Sequence, residues 1–310
     1  MTITDPEVLR FIEMTEAAYP PEANGADAAE NRRLYDAMCA LFRAPRPEGL
    51  AVRDETAAGV PIRRYSPEGH AAGPFVLYAH GGGFVVGSLD SHDDVCAELA
   101  VATDCEVVSV DYRLAPEHLF PAQIEDVAAV WLAETAQGRP GIVMGDSAGG
   151  TLSAALCLRM RRLEGPMPLA QVLIYPGLGG DTDAPSYTQN AEAPLLRARD
   201  VTGYAATITG GDLALKRSEP EASPLRAGSF AGLPPALIVT ADVDPLRDDG
   251  TAYHAALTEA GIRAQLRNEP QLVHGYLRAR HGSARAAASF AAICDWTRAE
   301  ALGQAPGQGR

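Results

Sequence analysis

Short runs of almost wholly apolar residues recur along the chain, with helical patterns between them. PFVLYAH (74–80), EVVSV (106–110), GIVMG (141–145), AQVLIY (170–175) and PALIVTA (235–241) have scarcely a polar position among them. Strands covered on both faces read this way. Two earlier runs, 51–56 and 60–65, alternate more and suit antiparallel edge strands, and RAQLRN (263–268) reads as a last strand. Helical patterns cover 90–102, which opens on acids, 121–136, which opens on Pro, and 147–163. Two more cover 246–260, which stops at Gly261, and 283–301, where Phe290, Ile293 and Trp296 stand at helical spacing. Strand–helix alternation of this kind predicts a mainly parallel α/β sheet with helices on both faces.

Two regions break the alternation. Residues 1–45 read as two helices with no strand. Residues 177–232 are rich in Gly, Pro, Asp and Ser, with one short helical piece near 201–209. Both are expected over one end of the sheet, as a cap. The division that follows is 1–45 (N-terminal helical part of the cap), 46–176 (first part of the core), 177–232 (cap insertion) and 233–310 (second part of the core). The tail GQAPGQGR is expected to fray.

Composition narrows the partners. The 310 residues suffice for a large buried core. A formal charge of −14, from 26 basic and 40 acidic residues, repels phosphate backbones and argues against nucleic acid. The N-terminus MTITDPEVLRFIEM has neither a basic start nor a long apolar run, so no secretory signal is expected. No stretch approaches the ~20 apolar residues of a membrane span. Cys39, Cys96, Cys105, Cys157 and Cys294 are scattered, without a Cys-x-x-Cys pair. Zinc is unsupported, no metal or cofactor is expected, and buried reduced thiols in a cytoplasmic protein are the reading adopted. A homodimer is compatible with the sequence but not specified by it.

GIVMGDSAGG, residues 141–150, is where chemistry enters. An apolar strand runs into a helix through a Gly-x-Ser-x-Gly turn, the context of a nucleophile elbow. Side chains at Gly145 and Gly149 are expected to clash in so tight a turn. The turn holds the Ser147 hydroxyl at the carboxyl edge of the sheet, where the helix points its free N–H groups. A serine needs a base, and the base an orienting acid, in the chain order Ser, Asp or Glu, His. His254 falls inside a helix and His281 within or just before the final one. His274, in the loop between the last strand and the last helix, is the best base. PALIVTADVDPLRDDG offers Asp242, Asp244, Asp248 and Asp249. Asp248 and Asp249 fall inside a helix. Asp244 is favoured because its loop can face His274, although Asp244-Pro245 also reads as a helix cap, and Asp242 competes on geometry alone. HGGG, residues 80–83, follows a strand and suits an oxyanion-binding loop; no Gly-Lys-Ser/Thr follows to make it a phosphate loop.

Together these segments resemble the hormone-sensitive lipase family of α/β-hydrolases, bacterial serine esterases with an HGGG loop. The likeness runs from about residue 70 to 280. Its ordered landmarks are HGGGFVVGSLDSHDDVC (80–96), DYRLAPEHLFPA (111–122), GDSAGG (145–150), YPGL (175–178), DPLRDDG (244–250) and HGY (274–276). The resemblance implies an α/β-hydrolase fold: a mainly parallel eight-stranded sheet flanked by helices, with a mostly helical cap drawn from the N-terminus and an insertion after the sixth strand. It implies Ser147 as nucleophile, Asp244 as acid and His274 as base, with the N–H groups of Gly82, Gly83 and Ala148 binding the oxyanion. Asp146, His92 and DYRLAPE match positions that are structural. The implied activity is carboxylesterase action on a small-molecule ester of short to medium acyl length, without cofactor. Phe84, Val85 and Val86 would line the pocket, with Tyr276, which stands where the family usually has Phe, as a further wall residue. Amide or formamide hydrolysis would use the same residues. A hormone receptor of the same fold would lack the histidine that is present here as His274.

Overall fold

The computed structural model describes residues 3–20, 27–70 and 73–304. Residues 305–310, most of the tail expected to fray, lie outside them. Eight strands form one sheet in the order β1-β2-β4-β3-β5-β6-β7-β8. They are β1 (Leu50–Ala57), β2 (Val60–Pro67), β3 (Phe75–Ala79), β4 (Glu106–Val110), β5 (Gly141–Asp146), β6 (Gln171–Ile174), β7 (Ala236–Val243) and β8 (Ala264–Val273). Pairings β1–β2 and β2–β4 are antiparallel and the other five parallel. β1 is therefore an edge strand, as its alternation suggests, while β2 is sandwiched between β1 and β4. β8 runs further than its apolar run implies and ends at Val273, directly before His274.

Side chains alternate between the two faces. In β3, Val76 and Tyr78 join one core, with Val95 and Leu99 of α3 (Asp93–Thr103) and Ile293 and Trp296 of α10 (Ala284–Ala301). Phe75, Leu77 and Ala79 join the other. That core holds Trp131 of α4 (Ala122–Thr135), Leu152 and Leu156 of α5 (Ala148–Arg162), and Tyr253 of α9 (Arg247–Glu259). α3 starts later than the acids suggest, because Ser88 and Ser91 close a turn first through each other's N–H and hydroxyl groups. α10 starts where Ser283 offers its hydroxyl to the Ala286 N–H.

Two helices precede the sheet, α1 (Pro6–Ala18) and α2 (Ala28–Phe42), each entered through an aspartate that accepts backbone N–H groups, Asp5 and Asp27. Three more lie between β6 and β7: α6 (Pro185–Gln189), α7 (Ala198–Ile208) and α8 (Leu213–Ser218). The sequence pattern marks α7 alone. α6 and α8 are too short for a helical period to register. All five cysteines are buried and unbridged. No helix among the described residues is long and apolar enough to cross a membrane.

Candidate active site

Four parallel strand ends assemble the site. β5 runs into α5 through Ser147, whose φ of 53° and ψ of −117° lie in a region that side chains rarely adopt. Such backbone costs about 1–3 kcal/mol and persists only where its surroundings enforce it. Here they do. A Cβ on Gly149 would come within 1.8 Å of the Ala79 carbonyl oxygen, and one on Gly145 within 2.4 Å of Gly149 backbone. The Ser147 N–H donates to Ile174 O at 2.8 Å, locking the turn to β6.

His274 lies just past β8 and bridges two strand ends. Its Nε2 is 2.8 Å from Ser147 Oγ, and its Nδ1 is 2.7 Å from Asp244 Oδ2. A carboxylate accepts only, so Nδ1 carries the proton and Nε2 is left to accept the serine hydroxyl. Asp244 is wholly buried, just past β7. Its second oxygen accepts the Leu246 N–H at 2.8 Å, and Asn190, at the end of α6, donates to its backbone carbonyl at 3.1 Å. A buried carboxylate needs such partners. The helix-cap reading of Asp244-Pro245 is thus half present: α9 begins later, after Leu246, while Asp244 braces the turn with one oxygen and the imidazole with the other. Asp242 points elsewhere, accepting from Asn268 Nδ2 at 3.2 Å, and Asp248 accepts from the Ser186 N–H at 2.8 Å. His254 lies on α9. His281 ends a 3-10 turn and meets Glu98 at 2.8 Å.

The glycine loop follows β3. Gly82 and Gly83 have φ of +124° and +60°; a Cβ on Gly82 would come within 2.1 Å of Val86 O, and one on Gly83 within 2.4 Å of the Tyr204 ring. The Val85 and Val86 N–H groups both donate to Gly82 O at 3.0 Å, curling the loop. Ala148 is the first residue of α5, so its N–H has no intrahelical partner. Asp146 ties the loop to the elbow. It accepts the Gly81 N–H and the Tyr78 hydroxyl, both at 2.9 Å, and His92 Nε2 lies 3.3 Å away. Burial pushes its carboxyl up, but the His92 imidazole, Arg278 and the Tyr78 hydroxyl overcome that and hold it well below the usual carboxylate range.

A cavity of about 690 Å³ opens above these atoms. Gly82, Gly83, Ser147, Ala148 and His274 line its floor, and Tyr19, Tyr35, Leu196, Tyr204 and Lys216 stand among its other lining residues. Of the expected wall residues, Phe84 and Val86 face it. Val85 and Tyr276 do not, which corrects the expectation for both. Val85 packs with Tyr35, Met38, Cys39 and Ala115 beneath the loop. Tyr276 is fully buried, its hydroxyl 2.7 Å from Ser289 Oγ of α10 and its ring edge-on to Tyr175. The hydroxyl finds its partner in the core behind the histidine, not in the pocket. Sequence reasoning missed Tyr19, Tyr35, Tyr204, Arg278, Asn190 and Lys216, because the elements that carry them give no local sign of which of their faces meets the site.

Comparison with known proteins bears on the fold and the family. A family model described as alpha/beta hydrolase fold matches residues 76–278. The chain is 38% identical over 289 residues to a protein named carboxylesterase NlhH of Mycobacterium tuberculosis, covering 89% of this chain and 91% of that one. It is 34% identical over 300 residues to the ethyl acetate hydrolase of Pseudomonas putida, covering 88% and 92%. Among solved structures, an esterase of the bacterial hormone-sensitive lipase family superposes with a TM-score of 0.87 at 31% identity, over 97% of this chain and 99% of that one.

Proposed function

The chain belongs to the α/β-hydrolase fold family, to its hormone-sensitive lipase type, and is a carboxylic ester hydrolase; from that premise we propose that it works through Ser147, His274 and Asp244 on esters of short to medium acyl length. The observation that carries the proposal is the unbroken chain of short hydrogen bonds from Ser147 through His274 to the buried Asp244, beneath a cavity. Ser147 Oγ attacks the ester carbonyl while His274 Nε2 takes its proton. Asp244 stabilises the imidazolium without itself taking the proton. The N–H groups of Gly82, Gly83 and Ala148 receive the developing oxyanion. His274 then protonates the departing alcohol, leaving an acyl-serine. A water, deprotonated by His274, attacks that acyl group and releases the acid. No step calls on a metal or cofactor.

The tyrosines of the cap bound the space above the serine, and the name of the Pseudomonas relative, an ethyl acetate hydrolase, supports a small acyl group. An organophosphonate should therefore add one equivalent on the peptide that holds Ser147, and Ser147→Ala should lower kcat by about 10⁶. A scan of acyl lengths should peak among the short chains. An adduct elsewhere, or activity surviving in Ser147→Ala, would end the assignment; a maximum at long chains would end the acyl-length part alone.

A further inference from the structure

Lys216 is the chain's only lysine; the other 25 basic side chains are arginines. Most of the arginines on the core are tied to carboxylates, among them Arg63, Arg64 and Arg280. The one ammonium stands instead in the cavity wall, on α8. It donates to the Ala222 carbonyl and lies 5.7 Å from the centre of the Phe84 ring, beside the glycine loop. An ammonium has three N–H donors, so the carbonyl leaves two of them for whatever fills the cavity. No carboxylate pairs with it among the described residues. Asp249, whose field acts on it from a distance, already accepts the Leu178 and Gly180 N–H groups and the Tyr187 hydroxyl. Arg226, on the same wall, donates to the Gly180 carbonyl and likewise has no ion pair among the described residues. The cavity lining also carries carboxylates, Glu16 and Asp181 among them, but none of them forms an ion pair with Lys216 among the described residues. Burial pushes the half-buried ammonium down to about 8, against the pull of Asp249, so it is still mostly charged at neutral pH.

We propose that Lys216 is a specificity-determining residue, and that the cavity favours esters bearing a carboxylate on the part of the molecule that projects toward the cap. The proposal rests on the esterase reading above. A half-ester of a dicarboxylic acid has this chemistry, as does an ester of a hydroxy acid. The ligand carboxylate would take the two spare N–H donors of this half-buried ammonium in a charge-assisted bond.

Two matched pairs of substrates test it. One is the mono-4-nitrophenyl ester of glutaric acid beside 4-nitrophenyl pentanoate, with the charge on the acyl side. The other is the butyrate ester of 4-hydroxybenzoate beside that of 4-hydroxybenzamide, with the charge on the alcohol side. Lys216→Met should lower kcat/KM about tenfold or more on the anionic member of one pair, while the neutral members stay within about twofold. Lys216→Arg should recover part of the loss. Because the chain has one lysine, reductive methylation marks that side chain and the N-terminus alone, and glutarate should slow the marking of Lys216. An unchanged anionic-to-neutral ratio in both pairs, or methylation indifferent to glutarate, overturns the proposal. Absence of turnover on all four esters by the unaltered enzyme would instead strike the esterase reading itself.

Discussion

The floor and the roof of the site are built on opposite terms. The floor belongs to the sheet edge, where there is no free space. Gly145 and Gly149 cannot take a methyl group, and Asp244 has no solvent contact. The roof is looser. α7 fully buries Ile208 alone and α8 fully buries no side chain, Lys216 being half-buried. The N-terminal helices are better anchored: Val8, Phe11 and Ile12 of α1 and Tyr35, Met38 and Cys39 of α2 are buried, and Arg32 to Glu117, Asp5 to Arg285, and Gln271 to the Thr4 and Asp5 N–H groups add polar ties at the rim. Exposed ion pairs of this kind contribute about 0–1 kcal/mol each. Reaction chemistry needs atoms held to fractions of an ångström, which close packing supplies. Entry and selection need a wall that can yield, and few buried contacts allow local opening well below the cost of global unfolding.

The sharpest break in that contrast is at the acid. Asp244→Asn should lower kcat by about 10⁴ with little change in Tm, because asparagine keeps the shape but loses the charge that stabilises the imidazolium. Asp242→Asn and Asp248→Asn, bonded to Asn268 and to the Ser186 backbone, should stay within about tenfold of the unaltered enzyme. A crippled Asp242→Asn beside a merely less stable Asp244→Asn would reduce Asp244 to a turn brace.

A pair of glycines probes packing directly. Gly149→Ala should cost at least about 3 kcal/mol or prevent folding, since its Cβ meets backbone that cannot withdraw. Gly203→Ala, in the exposed middle of α7 with nothing within 4 Å, should be neutral or stabilising by about 0.5–1 kcal/mol. Equal melting temperatures for the two variants would refute the contrast between floor and roof.

Acid titration separates two buried groups. Burial pushes the His80 imidazole down to about 4, with His92 adding to the push. The unfolded chain then binds this proton more readily, and stability falls as pH drops from 6.5 through 4. Burial pushes the Asp249 carboxyl up to about 6, so the folded chain takes up that proton first, and stability gains over nearly the same window. The two oppose each other. Asp249→Asn removes the gain, and its stability relative to its own value at pH 7 should fall further by pH 4 than that of the unaltered protein. The difference is on the order of 2 kcal/mol, read from urea midpoints. Parallel curves would show that Asp249 is not the group that takes up the proton.

Tyr276→Phe should do least. It removes one core hydrogen bond, to Ser289, at about 1 kcal/mol of stability, and kcat/KM should change less than about threefold. A large change in substrate range would return Tyr276 to the pocket wall.

Much of this was legible along the chain, for identifiable reasons. Parallel strands buried on both faces must be apolar throughout, so β3, β4, β5, β6 and β7 stand out by their runs alone. The elbow is legible because a turn with no room for a Cβ demands glycine at fixed offsets around Ser147. β8 was cut short in the reading because its outer half, NEPQLV, is half-exposed and mixed in polarity. The segment between β6 and β7 was legible only as a departure from pattern, since helices as short as α6 and α8 complete scarcely a turn or two.

By itself the sequence determined the strand–helix order, the strained serine, and a short roster of partners for it. A run of four aspartates within eight positions, Asp242 to Asp249, has no periodicity that separates one role from another. Tertiary structure did that, because β7 and β8 end side by side and bring only Asp244 within 2.7 Å of His274. It also turned Tyr276 into the core, where Ser289 waits, and set the single lysine in the wall of the cavity that holds Ser147. Such assignments depend on contacts between separate elements, from 13 positions apart for Tyr276 and Ser289 through 30 for Asp244 and His274 to 127 for Ser147 and His274, and a local pattern cannot encode the distance between them.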